Sequence, residues 1–260
     1  MADDGTWLKR LRIKFARYVL KKKFIRVMGQ PLEGFWWTTS RSYEYLLGTY
    51  ESPELMRQFL SWLKPDSIYY DVGGNVGYHA FIAAAVLKNG KVFSFEPLPA
   101  NRALFEEHIR LNQDRFSKDA ITLLPYAVAD AEKTVLFTNN EQLSGSNTYI
   151  DSPVLGTAVD KIPVQCYSLD GLLAQGYPPP DVLKIDVEGA AFDVLRGAAE
   201  TIRKHRPNIF LATHDVHLPG VKDQCLKFLQ ELGYTVTRTE DFNQRMAGLD
   251  DFLCIHPGRS

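Results

Sequence analysis

The sequence predicts an α/β fold: a mainly parallel sheet of seven strands, helices on both faces and an antiparallel edge at the carboxyl end. Three observations favour it. Short apolar runs that suit buried strands alternate with longer segments of helical periodicity, as in βαβ units. A glycine-rich turn follows the first of these strands. The last two apolar runs have no helix between them, which is typical of an antiparallel hairpin.

The elements follow one another in a regular order. Helices are predicted over residues 7–20, 53–63, 76–87, 98–112, 191–202 and 221–232. Strands are predicted over residues 68–72, 91–95, 121–125, 182–186, 209–213, 234–238 and 252–256, with further extended segments at 135–138 and 161–166. Residues 139–160 form one long polar insertion, and insertions of that length tend to be functional or mobile.

Composition restricts the class of protein. Hydrophobic residues make up 45% of the chain and charged residues 23%, which is ordinary for a globular protein. The three cysteines are odd in number and widely spaced, so they predict neither a disulfide framework nor a zinc ribbon, and they fit a reducing cytoplasm. An apolar run of about 18 residues, long enough for a transmembrane helix, does not occur.

Charge is distributed unevenly along the chain. Residues 1–30 hold nine Lys/Arg and two Asp, net +7, whereas the remainder holds 21 Lys/Arg and 29 Asp/Glu, net −8. Because phosphate binding depends on Lys and Arg, the acidic body predicts no nucleic-acid partner. The arm has an apolar helical stripe through Leu8, Leu11, Phe15, Tyr18 and Val19. Two hypotheses follow: peripheral contact of residues 7–26 with an anionic membrane, at an inner membrane face, or packing on the domain or on a second subunit of a homo-oligomer.

Residues 34–50 are rich in aromatic side chains. These rings have two interpretations: they stack on a ring of a substrate or cofactor, or they fasten the segment to the core. The six aromatic residues are Phe35, Trp36, Trp37, Tyr43, Tyr45 and Tyr50.

The strongest motif is the run from Asp71 to Gly77, which ends a strand and opens a helix. Its pattern is acidic-x-Gly-x-Asn-x-Gly, through Gly73, Asn75 and Gly77. Glycines allow the backbone to approach a ligand and to turn sharply, and Asn tolerates left-handed dihedral angles better than most residues. Asp71 suits a cationic ligand group such as an ammonium, and the alternative is that it caps the loop.

Glu96 follows at the end of the next strand, 23 residues after Gly73, and Pro97 stops the strand there. In a Rossmann-like fold, an acidic residue at about this distance accepts hydrogen bonds from ribose hydroxyls. The dinucleotide fingerprint fails in the loop, because it would need glycine at Asn75 and at Tyr78. The pattern therefore favours a nucleoside ligand other than NAD.

Charged side chains also follow two later strands. Asp186 and Glu188 come at the end of an apolar strand, where ligands bind in open α/β sheets. They are candidates for orienting a substrate, for acting as a base or for binding a divalent metal, a choice that the sequence leaves open; Glu188 also suits a helix N-terminus. His214, Asp215 and His217 end the next strand. Our order for a general base is His214, Asp186 and then Asp215, with His79 a weaker candidate.

The sequence resembles the FkbM family of S-adenosylmethionine-dependent methyltransferases from about Gly48 to His217. The motifs that carry the resemblance are Tyr50-Glu51, Asp71–Gly77, Phe95-Glu96-Pro97, Asn112, Ala127-Val128-Ala129-Asp130, Ser168-Leu169-Asp170, Lys184–Gly189 and Leu195-Arg196-Gly197-Ala198. Together they are specific, although none is specific alone. One position departs from the pattern: Thr213 precedes His214 where the family often has Glu.

The resemblance implies a class I, Rossmann-like fold, S-adenosylmethionine as cofactor, S-adenosylhomocysteine as product, and O-methylation of sugars, glycans, glycolipids or secondary metabolites. It places Gly73, Asn75 and Gly77 around the cofactor, Glu96 on the ribose, and Ala127 near the adenine. We divide the chain into a basic arm (1–30), a lid or helical segment (31–66) and a catalytic domain (67–260). Two alternatives are a non-catalytic binding module held at a membrane and a nucleotide-linked oxidoreductase.

Overall fold

A computed structural model describes residues 6–139, 147–150, 160–239 and 248–258. Within these residues the principal sheet has seven strands: β3 (Ile68–Val72), β4 (Lys91–Phe95), β5 (Ile121–Leu124), β9 (Val182–Asp186), β10 (Asn208–His214), β11 (Thr235–Arg238) and β12 (Leu249–Ile255). Their order across the sheet is β11-β12-β10-β9-β3-β4-β5. All neighbours pair in parallel except those of β12, which is antiparallel to both β10 and β11. This confirms the predicted mainly parallel sheet.

Two hydrophobic cores cover the two faces of this sheet. Successive strand residues point to opposite faces, so Tyr69 belongs to one core and Tyr70 to the other. Helices that contribute to the first core are α3 (Pro53–Trp62), α4 (Tyr78–Val86) and α5 (Pro99–Leu111). Helices that contribute to the second are α6 (Leu169–Ala174), α7 (Ala191–Arg196), α8 (Ala199–His205) and α9 (Val221–Glu231).

Two of the predicted helices that flank the sheet differ from the observed ones by more than one residue at an end. The helix predicted from residue 76 begins at Tyr78, because Asn75 and Gly77 have positive φ angles of 48° and 96°. The helix predicted over 191–202 is two helices, α7 and α8, which are separated at Gly197. A Cβ at Gly197 would lie 2.0 Å from the carbonyl oxygen of Ala129, so the two helices meet at a close backbone approach that only glycine allows.

The amino-terminal segments form a small structure of their own on the first core. They comprise α1 (Thr6–Lys14), a π-helical turn (Phe15–Val19), β1 (Phe24–Arg26), β2 (Trp36–Thr38) and α2 (Tyr43–Leu47). Ile13 and Ala16 are buried, whereas the predicted apolar stripe, including Leu11 and Phe15, is exposed. Strand β1 pairs antiparallel with β2, so a β-ladder joins the predicted arm to the predicted helical segment.

A second sheet of three strands was not expected in this form. It has the order β6-β8-β7 and contains β6 (Ala127–Val128), β7 (Lys133–Thr138) and β8 (Lys161–Tyr167). The polar insertion predicted over 139–160 lies outside the described residues except at 139, 147–150 and 160. Among the described helices, none has the length and apolarity that a bilayer-crossing segment needs.

Candidate active site

A cavity of about 250 Å³ lies at the carboxyl ends of β3, β4 and β9. Strand order reverses between β3 and β9, and such a switch point is where open α/β sheets bind ligands. The predicted residues Gly73, Asn75, Glu96, Pro97, Ala127, Asp186 and His214 all line this cavity. The fold therefore brings most of the sequence-predicted positions to one place.

The glycine loop forms one wall of the cavity. Gly73 has φ +86°, and a Cβ there would lie 2.0 Å from the backbone oxygen of Asp186. Any other residue would push β3 and β9 apart. Asn75 takes the predicted left-handed conformation, with φ 48°. Gly77 is not among the lining residues; it starts α4 and packs against the ring of Phe105, where a Cβ would be 2.6 Å away.

Glu96 is fixed at the opposite side of the loop. Its Oε2 accepts a hydrogen bond of 2.8 Å from the Asn75 backbone N–H, and its Oε1 accepts one of 2.8 Å from the Leu98 N–H. Burial, which exceeds the opposing effect of these hydrogen bonds, raises the pKa of Glu96 to about 7. Each carboxylate oxygen has a further lone pair, so the group can also accept hydrogen bonds from a ligand in the cavity.

Asp71 occupies a different position from the one predicted for an ammonium-binding group. It is 1% exposed and is not among the cavity-lining residues. Its carboxylate accepts a hydrogen bond of 3.0 Å from the Ser94 hydroxyl. It also lies 3.5 Å from Nζ of Lys184, the residue on β9 that is paired with Asp71 in the strand register. Burial raises the pKa of Asp71, although Lys184 opposes this effect. Asp71 therefore links β3 to the neighbouring strands β4 and β9 through Ser94 and Lys184.

Asp186, Glu188, His214 and His217 form one cluster beside the cavity. Glu188 Oε2 lies 2.5 Å from His214 Nδ1 and 2.7 Å from His217 Nε2. Asp186 Oδ1 lies 3.4 Å from His214 Nε2, and its Oδ2 lies 3.1 Å from Lys184 Nζ. The predicted approach of the two strand ends is therefore observed.

The charges of this cluster argue against His214 as the general base. Burial alone would lower the pKa of His214, but the carboxylates of Glu188 and Asp186 outweigh burial and raise it to about 10. An imidazolium ring carries a proton on both nitrogens, so it cannot accept another from a hydroxyl. Burial raises the pKa of Asp186, but Lys184 and His214 lower it well below the usual range, so Asp186 stays a carboxylate facing the cavity.

Asp215, the third predicted base, points away from the cavity. Its Oδ1 accepts a hydrogen bond of 2.8 Å from the backbone N–H of Lys222, in the first turn of α9. It is not among the cavity-lining residues. Asp215 therefore caps a helix, a common role for aspartate, and the structure does not place it for the predicted chemistry.

The aromatic segment divides between its two interpretations. Trp37 is fully buried and stacks on His108 with ring centroids 4.0 Å apart, so it fastens the segment to the core. Tyr45 and Tyr50 line the cavity together with Tyr78. The sequence alone does not indicate which of these aromatic residues pack in the core and which line the cavity.

His79 was the weaker sequence candidate, and the structure places it on the cavity wall. Its Nε2 lies 3.3 Å from Glu51 Oε1. Burial, with a smaller contribution from Lys184, lowers the pKa of His79 well below its usual value, so the ring is neutral. The sequence analysis named Glu51 and Lys184 only as members of motifs. Their contacts with His79 and Asp71 join residues on different segments of the chain, and such contacts have no local signal in the sequence.

Fold and site together define a Rossmann-like class I methyltransferase. The model of the methyltransferase FkbM domain matches residues 71–236, well over half of the chain, so the protein belongs to that family and is a methyltransferase. This confirms the family resemblance and the fold class. The family match also argues against the oxidoreductase alternative.

Individual relatives are consistent with this assignment. Hexuronic acid methyltransferase AglP of Haloferax volcanii is 27% identical over 201 residues, which are 73% of this chain and 74% of that protein. Methyltransferase sdnD of Sordaria araneosa is 27% identical over 195 residues, 65% of this chain and 73% of that protein. The crystal structure of methyltransferase FkbM from Methylobacillus flagellatus KT has a TM-score of 0.54 and 16% identity; the match covers 74% of this chain and only 44% of that one.

Proposed function

We propose that the protein is an S-adenosylmethionine-dependent O-methyltransferase acting on a hydroxyl of a sugar, glycan, glycolipid or secondary metabolite. The observation that carries the proposal is the contact of Glu96 with the Asn75 backbone at the wall of the cavity. It sets a ribose-binding carboxylate beside a glycine loop, which is the pair that a nucleoside ligand requires.

The cavity offers a separate environment to each part of the cofactor. Glu96 would accept hydrogen bonds from the ribose hydroxyls. Pro97, Ala127 and Phe137 give an apolar wall that suits the adenine ring. Gly73 brings the backbone close to the end of β9, beside which the methionine portion fits. A cofactor bound in this way would have its reacting end on the side of the cavity that Asp186 lines.

Asp186 is the residue best placed to receive the proton of the acceptor hydroxyl. When bound, S-adenosylmethionine supplies an activated methyl group on its sulfonium. As the acceptor oxygen formed its bond to the methyl carbon, the bond from that carbon to sulfur would break and S-adenosylhomocysteine would leave as a neutral thioether. The Asp186 carboxylate, although weakly basic, would then take the proton that the methylated oxygen releases. The chain's main contribution is alignment of donor and acceptor, which can supply up to about 7–11 kcal/mol in well-oriented systems.

The acceptor class rests on the named relatives and on the lining of the cavity. AglP is a hexuronic acid methyltransferase, which favours a sugar as the acceptor. Tyr45, Tyr50 and Tyr78 line the cavity near His79, and such rings suit the faces of a sugar as well as a planar metabolite.

A labelled methyl-transfer assay tests the function. The protein is incubated with S-adenosylmethionine carrying a labelled methyl group and with panels of hexuronic acid glycans, glycolipids and hydroxylated metabolites. We expect label in at least one panel and a product that carries one added methyl on oxygen. Label on nitrogen or carbon alone, or none in any panel from protein that binds S-adenosylhomocysteine, would contradict the proposal.

We also propose that the amino-terminal helix docks on an anionic membrane surface and so brings the enzyme to a lipid-linked or glycan substrate. Seven large apolar side chains of this region are about half exposed: Trp7, Leu8, Leu11, Phe15, Tyr18, Val19 and Leu20. Residues 7–26 contain nine Lys/Arg and no acidic residue. An apolar face within a basic segment fits a bilayer interface, where each basic residue contributes about 1 kcal/mol.

A further inference from the structure

The cluster beside the cavity has the composition of a metal site. Glu188, His214 and His217 each offer one ligand atom, and these atoms lie within 4.8 Å of one another. Their side chains are 16%, 11% and 4% exposed. Two imidazoles and a carboxylate bound to one tetrahedral ion at about 2.0–2.2 Å would have ligand atoms about 3.3–3.6 Å apart. Glu188 Oε2 lies 2.5 and 2.7 Å from the two rings, so the carboxylate would move away from them by up to about 1 Å to admit an ion.

The backbone holds these three residues in place. His214 ends β10, and His217 follows one turn later, with its N–H donating to the His214 carbonyl at 3.0 Å. Side chains three residues apart on such a turn face the same side. Gly189, the residue after Glu188, packs directly against His217: its φ is +77°, and a Cβ there would lie 3.0 Å from the Cβ of His217. A larger residue at Gly189 would move the carboxylate away from the two rings.

Asp186 adds a second, independent indication. Its Oδ1 lies 3.4 Å from His214 Nε2, the ring nitrogen opposite to the one that faces Glu188. Metal-bound histidines usually have a carboxylate or carbonyl on the far nitrogen, which fixes the ring and increases its basicity. Lys184 in turn holds Asp186 at 3.1 Å.

We propose that Glu188, His214 and His217 bind one divalent transition-metal ion, which displaces the proton that His214 shares with Glu188 in the metal-free protein. Two imidazole nitrogens and one carboxylate oxygen favour Zn²⁺, Co²⁺ or Fe²⁺ over Mg²⁺ and Ca²⁺, which prefer oxygen ligands. This replaces the metal pair that the sequence left open, Asp186 and Glu188, because Asp186 faces the other side of the His214 ring.

Three protein ligands leave coordination positions for small molecules. Glu188 and His214 line the cavity and His217 does not, so the open positions face the cavity. If the proposed function holds, an acceptor hydroxyl oxygen would bind there, and the ion would polarise it and ease release of its proton. Metal binding itself does not depend on that function. The same distances also fit a hydrogen-bond network in which both rings donate N–H to Glu188, so the experiment must separate the two.

Direct titration with metal separates them. Tag-free, full-length protein is titrated with Zn²⁺ by calorimetry and with Co²⁺ by visible absorption. We expect one equivalent to bind, with the absorption bands of cobalt bound by nitrogen and oxygen. His217→Gln keeps an N–H donor for Glu188 but loses the imidazole ligand, and its affinity should fall at least about tenfold, in line with the loss of a coordinating contact.

His205→Gln is the matched control, because this partly exposed histidine lies beyond the opposite end of β10 and should bind metal like the wild type. Binding of S-adenosylhomocysteine, measured on every variant, verifies that each is folded; Glu188→Gln is the second variant if His217→Gln is not. Absence of stoichiometric binding, or equal affinity in wild type and the folded ligand variant, would overturn the metal site while leaving the proposed function intact. Metal binding without methyl transfer to any acceptor would do the reverse.

Discussion

Glu96 and Asn75, 21 residues apart in sequence, are joined by a hydrogen bond of 2.8 Å from the Asn75 backbone N–H to Glu96 Oε2. The carboxylate predicted to bind ribose thus also fixes the glycine loop. Because both walls of the cavity share this contact, the protonation state of Glu96 should govern cofactor binding.

The first prediction concerns pH. The folded protein holds the Glu96 proton more tightly than an unfolded chain does, since its pKa is raised from 4.5 to about 7. Ribose hydroxyls need the carboxylate, so affinity for S-adenosylhomocysteine should rise as the pH rises through about 7. We expect binding about tenfold weaker at pH 6 than at pH 8 by calorimetry, the change that one titrating group with this pKa gives.

Glu96→Gln controls for titration of the ligand and of other groups. The variant should bind more weakly at pH 8, since a charged acceptor contributes about 1.5–3 kcal/mol, and it should lose the added pH dependence. Equal pH slopes in wild type and variant would show that Glu96 does not control binding.

The second prediction concerns Asp186. Asp186→Asn keeps the shape of the side chain but removes the proton acceptor, so turnover should fall by about 10²-fold or more. His214→Ala should also reduce turnover, because the ring positions both Asp186 and Glu188. Both variants should lose less affinity for S-adenosylhomocysteine than turnover. Steady-state kinetics paired with calorimetry check this, and near-normal turnover in both would move the chemistry elsewhere, with His79 the next candidate.

The third prediction separates Asp215 from the chemistry. Asp215→Ala removes the acceptor for the Lys222 N–H and should cost about 1 kcal/mol of stability, as the loss of a helix cap does. For a chain of this length the melting temperature should fall by about 2–4 °C. Turnover at a temperature well below melting should match the wild type. A kinetic loss as large as that of Asp186→Asn would return Asp215 to the active site.

The fourth prediction concerns the amino-terminal helix. Full-length protein should sediment with anionic vesicles at low salt and be released at high salt, because salt screens the attraction of the basic residues. The double variant Leu11→Ser with Phe15→Ser should bind less, since both side chains are about half exposed on the helix. Leu136→Ser is the control, because Leu136 is 61% exposed but lies on β7. Equal sedimentation of all three proteins would count against membrane docking.

The sequence predicted the central strands well for a physical reason. Ile68–Val72, Lys91–Phe95 and Val182–Asp186 are observed with the predicted bounds, because each is an apolar run stopped by turn residues. It could not show that Asp71 and Lys184 are register partners, since strands distant in sequence have no local signal for their register. Because the Asp71 carboxylate contacts Lys184, it lies between the strands and does not line the cavity.

Side-chain direction was the other limit. His214, at the end of β10, was predicted to form one cluster with Asp215 and His217, but the turn that follows His214 places His217 against Glu188 and Asp215 against α9. The exposed stripe of the amino-terminal helix is a similar case. Its periodicity was correct, but burial of Ile13 rather than Leu11 depends on which face meets α2, a tertiary contact.

We infer that the cavity between the glycine loop and Glu96 binds the methyl-donor cofactor. The decisive measurement is a calorimetric titration of the wild-type protein with S-adenosylhomocysteine, and in parallel with NADH. We expect saturable binding of one S-adenosylhomocysteine per chain at pH 8 and none of NADH. Binding of NADH without S-adenosylhomocysteine, or binding of neither, would contradict it.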